Sequence, residues 1–118
     1  MNRIAIRGNV PSKSNSYRIV TINRHGTLAK TDKVKKYEEA FMWQCGEYRD
    51  AGIDQPFEMI VDVYYPSKRS DLDNAMKVLM DMLQRVKAIK NDNLCARIVA
   101  QKFIDKQDPR IEFELKIL

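Results

Sequence analysis

The sequence predicts a single α/β domain, a mixed β-sheet with two main helices packed against it. Three observations predict it. Phe57, Met59, Val61, Val63 and Tyr65 alternate with Glu58, Ile60, Asp62 and Tyr64, which makes a strand with one strongly apolar face. Leu72, Ala75, Met76, Leu79, Met82, Leu83 and Val86 recur at spacings of three and four, the stripe of an amphipathic helix. Two further strand-like stretches, 96–104 and 111–117, flank Gln107-Asp108-Pro109, a turn suited to an antiparallel hairpin between them. No repeat, low-complexity tract or linker interrupts the 118 residues, so 1–118 reads as one domain.

The elements follow in order. Ile4 and Ile6 alternate with Arg3, Ala5 and Arg7 in a short strand that stops at Gly8-Asn9-Val10-Pro11. Residues 11–18 are polar and turn-rich, a loop. Ile19 to Ile22 is a strand, and Asn23-Arg24-His25-Gly26 a hairpin turn closing onto Leu28, with His25 a turn residue. Thr31 or Asp32 caps a helix running to about Tyr48, on which Val34, Tyr37, Phe41, Cys45 and Tyr48 form one apolar stripe. Cys45 on that stripe is a small core residue. Lys30, Lys33, Lys35 and Lys36 crowd the helix start, where the dipole gives cations no support; a solvated face and a phosphate contact both account for them. Asp50 to Pro56 breaks this helix, and Pro66 to Ser70 ends the 57–65 strand. The second helix runs from about Asp71 to Val86, its methionines and leucines packing the core. Residues 87–93 form a polar loop before the last two strands.

Composition narrows the function. Four Gly, four Pro and 44% hydrophobic residues are the balance of a folded protein. No run approaches the ~18 apolar residues of a membrane span, and Met1 to Arg7 is too short and too charged for a signal peptide. A soluble, intracellular protein without a membrane partner is expected. Cys45 and Cys95 lack CxxC spacing, so neither a disulfide framework nor a structural zinc site is encoded. The single His25 argues against HNH-type nuclease centres, His-rich metal sites and Ser–His or Cys–His hydrolases. Lys and Arg number 21 against 16 Asp and Glu, a net charge of +5 that favours an anionic partner, nucleic acid being the commonest. A basic surface with no such partner is the plainer alternative.

The unusual segment is Lys68-Arg69-Ser70-Asp71-Leu72-Asp73-Asn74-Ala75-Met76-Lys77, at a strand-to-helix junction. Capping explains part of it. Asp71 or Ser70 can cap the helix, Asp73 complements its dipole, and Asp73 to Lys77 is a favourable i,i+4 pair. Residues two apart on a helix do not face each other, so Asp71 and Asp73 converge on one ion only if Asp71 precedes the helix with its backbone extended. A hard cation such as magnesium takes oxygen ligands of this kind. Asp92, in the loop after the second helix, is a third carboxylate whose end of the sheet the sequence does not fix. Asp62 and Asp81 are weaker candidates, the first on the exposed strand face and the second on the solvent side of the helix.

At these residues the chain resembles the RusA family of Holliday junction resolvases. The resemblance rests on Asp-Leu-Asp-Asn at 71–74 followed by Lys77, on Lys68-Arg69 before it, and on Asp92 after the helix. Pro11-Ser12, Asn15, Tyr17 and Lys102 extend it along most of the chain. It implies a RusA-like domain, a homodimeric, magnesium-dependent endodeoxyribonuclease in which manganese can substitute for magnesium. Such an enzyme binds four-way junction DNA and cuts two opposed strands in recombination and repair, in the cytoplasm of a bacterial or phage-infected cell, with no organic cofactor. The resemblance makes Asp71, Asp73 and Asp92 the metal ligands and, with Lys77, the catalytic set. It makes Lys68, Arg69, Asn15, Tyr17 and Lys102 the DNA-binding residues. The chain departs from the family at the third site, where Asn91-Asp92 replaces paired acids and Leu94 and Cys95 stand for the usual Gln and Val. The residue types suit water activation and charge neutralisation at a phosphate without any histidine. The rival reading is a non-catalytic basic α/β module that binds structured DNA or RNA through its phosphates. An adaptor for an acidic protein is a third. A two-fold dimer would match the junction's symmetry, through a sheet edge or through apolar residues off the core such as Trp43.

Overall fold

The computed structural model describes residues 1–12, 17–22, 25–30 and 32–118, with 17–22 and 25–30 described by their backbone. Strand β1 (Ile4–Arg7) comes first, then the antiparallel pair β2 (Tyr17–Ile22) and β3 (His25–Lys30), then helix α1 (Asp32–Gln44). Strand β4 (Phe57–Tyr65), helix α2 (Leu72–Arg85), and strands β5 (Cys95–Ile104) and β6 (Arg110–Ile117) complete the chain. The main sheet has the order β1-β6-β4-β5 and is mixed, as expected. Its centre includes β4, where every odd residue from Phe57 to Tyr65 is buried and every even one half-buried. The buried face meets α1 through Tyr37 and Phe41, and α2 through Ala75, Leu79, Met82 and Leu83, in one hydrophobic core. No described helix is long and apolar enough to cross a membrane.

The expected hairpin between β5 and β6 does not form. β5 pairs parallel with β4, from Phe57 opposite Cys95 to Tyr65 opposite Ile104, while β6 pairs antiparallel with the other side of β4. The turn between them instead crosses the end of β4, where the Asp105 N–H donates to the Tyr65 carbonyl at 2.8 Å. Two inter-strand spacings are about 10 Å, a step that a five-residue turn spans easily. The crossing gives the most apolar strand a partner on both sides. It also leaves β5 at the sheet edge, with Ile98, Val99 and Ile104 about half exposed.

Three smaller expectations are corrected. His25 is not in the hairpin turn but opens β3, paired with Ile22; residues 23 and 24 lie outside the described residues. The first helix ends at Gln44 and not near Tyr48, because Gly46 adopts φ +55°, a left-handed conformation that suits glycine. A 3₁₀ turn over Gly46–Tyr48 then returns Tyr48 to the core. The 87–93 segment is not uniformly a polar loop. Ala88 and Ile89 are buried, and Ile89 forms a bridge with Ile53 that closes the 50–53 turn against the end of α2.

Tyr48 joins the layers with its polar tip. Its ring lies 5.0 Å from Phe113, while its hydroxyl donates to the Asn2 carbonyl at 2.7 Å and accepts from the Leu115 N–H at 3.1 Å. Replacing Tyr48 by Phe keeps the packing and strands a buried N–H. A loss of about 1–3 kcal/mol in urea unfolding is expected, and a change below a few tenths would show that the N–H finds another partner.

The face of the sheet away from the helices carries a network of ion pairs. Arg3 bridges Asp62 and Glu112, and Arg110 reaches Glu112 at 2.6 Å and Asp105 at 2.9 Å while lying 3.8 Å over the Tyr64 ring. Hydrogen bonds from Arg110 are the leading reason both acids, Asp105 and Glu112, sit below the ordinary carboxylate range.

Candidate active site

β4 ends at Tyr65, and the Pro66 to Ser70 turn carries the chain up to α2. Asp71 occupies the helix N-cap with φ −91° and ψ 139°, an extended backbone, and its side chain makes no capping hydrogen bond. This is the geometry that lets Asp71 share a space with Asp73 in the first turn of the helix. Both carboxylates line a concavity of about 330 Å³ with Arg69, Ser70, Asn74 and Lys77, closed on its far wall by Val10 and Ser12. Lys77 sits 3.2 Å from Asp73, an exposed i,i+4 ion pair. Capping by the Asp71 side chain is therefore not what this segment is for.

The backbone that carries Asp71 is held from two sides. The Tyr65 hydroxyl donates to the Asp71 carbonyl at 2.7 Å, and Lys102 Nζ donates to the Ser70 carbonyl at 2.9 Å. Burial pushes the Tyr65 phenol up, against the pull of its hydrogen bond with Asn74 and aided by the Asp71 charge, so it remains a neutral donor. Asn74 Nδ2 donates to the Pro11 carbonyl at 3.0 Å and ties the segment after β1 to α2. Sequence reasoning missed these roles of Tyr65 and Asn74. The signal for Tyr65 was a polar-tipped residue at an inward position where a strand ends, and Asn74 stood within the motif itself.

Asp92 lies elsewhere in the chain. It opens a 3₁₀ turn over Asp92–Leu94, and its N–H donates to Gln84 Oε1 at 2.8 Å. Gln84 is near the C-terminus of α2 and Asp73 near its N-terminus, about 16 Å apart along the axis at 1.5 Å per residue. The register agrees, since Cys95 pairs with the first residue of β4 whereas Asp71 follows its last. A parallel strand–helix–strand crossover must return the chain to the end where it began. Among the described residues of one chain, no group of three or more His, Cys, Asp or Glu side chains is placed to hold a metal ion.

The remaining candidates divide. Arg69 lines the concavity, and Lys68 is exposed beside it on the same turn. Lys102 reaches the site through Ser70. Asp62 is paired with Arg3 on the opposite sheet face, and Asp81 is exposed on α2, so neither joins the site. Asn15 and the Tyr17 side chain lie outside the described residues. The donor set suits a hard divalent cation, which takes one or two carboxylates and completes its shell with water and substrate phosphate.

The chain is similar to a crossover junction endodeoxyribonuclease RusA of Aquifex aeolicus (strain VF5), 30% identical over 83 residues. That match covers 69% of this chain and 66% of the relative, just under two thirds of its length. The family model described as endodeoxyribonuclease RusA matches residues 9–116. This range takes in β2 through β5, both carboxylates of the concavity, Lys77 and Asp92, and on that match the chain belongs to the RusA endodeoxyribonuclease family.

Proposed function

We propose that the protein is a magnesium-dependent endodeoxyribonuclease that resolves four-way DNA junctions by paired symmetric cuts, as a homodimer acting in recombination and repair. The observation that carries the proposal is the extended Asp71 beside Asp73, two carboxylates free of capping in one concavity with Lys77. When bound, magnesium (or manganese in its place) supplies charge neutralisation at the scissile phosphate and a more acidic water. Asp71 and Asp73 hold it. Lys77, already within the concavity, meets negative charge that develops on the phosphoryl oxygens. Tyr65 and Lys102 keep the carboxylate-bearing backbone in place. Arg69 and Lys68 take phosphates of the approaching strand.

Asp92 enters this scheme through the dimer. The exposed edge of β5 has unpaired backbone groups and half-exposed Ile98, Val99 and Ile104, a template for a second strand. Antiparallel pairing of two β5 strands about a two-fold axis brings the start of one against the end of the other. The end of β5 is where Lys102 contacts Ser70. Asp92 of the partner subunit then approaches Asp71 and Asp73, and each site draws on both chains.

The test is incubation with labelled four-way junction, flap and linear duplex, with and without magnesium, alongside sedimentation at micromolar concentration. Two symmetric cuts in the junction alone, only with metal, by a species of twice the chain mass are expected. Tight junction binding with no cleavage in magnesium or manganese would instead favour the non-catalytic binding module.

A further inference from the structure

Beside the acidic concavity, and sharing Val10, Ser12 and Ser70 with it, lies a larger one of about 510 Å³. Its wall joins the segment that follows β1 to the first turns of α1, and among the described residues none that line it is acidic. Lys33 and Lys36 stand there on one helix face, three residues apart, both exposed and neither with an ion-pair partner among the described residues. Arg7 also lines it but is paired with Asp108. The helix dipole disfavours cations at this end of α1, so local helix stability does not explain the two lysines. A second feature points to a ligand. Tyr37 lines the same concavity, is only 6% exposed, and carries a buried hydroxyl that has no hydrogen-bond partner among the described residues. Burial and the nearby Tyr65 push its pKa up, so the group is a neutral donor.

We infer that this concavity is a phosphate subsite, where Lys33 and Lys36 hold a backbone phosphate of the strand whose scissile phosphate lies against Asp71, Asp73 and Lys77. The inference rests on the proposed nuclease reading and adds residues that reading does not use. The shared wall at Val10, Ser12 and Ser70 makes the two concavities one continuous track, acidic where a cation and phosphate meet and basic where phosphate stands alone. A strand crossing this wall is gripped on both sides of it. Backbone contacts of this kind position the strand without reading its sequence.

The test compares Lys33→Ala/Lys36→Ala with Arg49→Ala/Lys116→Ala, which removes the same charge beyond the far end of α1 and beside the start of β4. The readout is the salt dependence of junction binding in calcium-free, magnesium-free buffer with chelator. The first pair is expected to flatten the log–log slope by about 1.8, about 0.9 for the one phosphate lost in each subunit of the dimer, and to weaken binding equally for all junction sequences. The control pair is expected to leave the slope near that of the wild type. Equal slopes for the two pairs, with the wild type binding steeply, overturn the subsite and leave the nuclease reading standing. A wild type that does not bind junction DNA at any salt overturns both.

Discussion

Chains carrying Asp73→Asn and chains carrying Asp92→Asn are each expected to lose cleavage by at least about a hundredfold, and a co-refolded mixture of the two to regain nicking of one strand. The reason lies in α2, which sets Asp73 and Asp92 of one chain at opposite ends of that helix. If Asp92 is supplied across the dimer axis, a mixed dimer has one site with both defects and one with none. The intact site cuts a single strand of the junction, so nicked product replaces the paired cuts of the wild type. If each site drew all three carboxylates from its own chain, every site in the mixture would lack one and the mixture would stay dead. Junction binding by both variants should persist or tighten, because each removes a negative charge that faces phosphate. A Trp43→Ala chain serves as the control, since Trp43 is exposed on α1 and its loss should leave both cuts in place.

Phe113→Ala is expected to cost about 3–5 kcal/mol, a large share of the roughly 5–15 kcal/mol that holds a domain together. Phe113 is fully buried on β6 and is registered against Ile4 of β1 and Val61 of β4. Its ring stacks on Phe41 of α1 at 6.1 Å and meets Tyr48 at 5.0 Å, so it touches both layers at their join. Its neighbours sit on two other strands, a helix and a 3₁₀ turn, which limits their collapse into the void. Urea unfolding with an unchanged m-value reads the loss directly. A loss below about 1 kcal/mol would mean that the aromatic cluster repacks without it.

The parts of the fold that were legible in the sequence are those that bury one face. β4 and α2 each have a single apolar side, so period two and period three-to-four named their residues and their ends almost without error. Period says which face is buried but not which strand is the neighbour, and this is why β5 and β6 read as a hairpin. Period is equally silent on which strand lies at the edge, and there Ile98, Val99 and Ile104 of β5 are half exposed. At the site, a rule about helix geometry set the condition that Asp71 be extended, and the backbone of Asp71 at the N-cap meets it. The place of Asp92 followed from no such rule, because a parallel crossover and an antiparallel return put it at opposite ends of the sheet. Lys33 and Lys36 were ambiguous for another reason. Whether an exposed lysine faces open solvent or a track depends on what stands across from it, here a segment some twenty residues earlier in the chain.

The span of α2 between Asp73 and Asp92 bears on when such a protein would be dangerous to its own genome. A lone chain, on the shared-site reading, owns half of each of two centres and cannot complete either. Below the dissociation constant of the dimer, the number of competent centres in a cell of fixed volume then rises with the square of chain number, so a tenfold fall in chain number removes about ninety-nine centres in a hundred. Leaky synthesis would be nearly harmless, and a burst of synthesis would switch cutting on abruptly. The length of one helix would thereby act as a copy-number threshold, with no inhibitor, modification or added domain required.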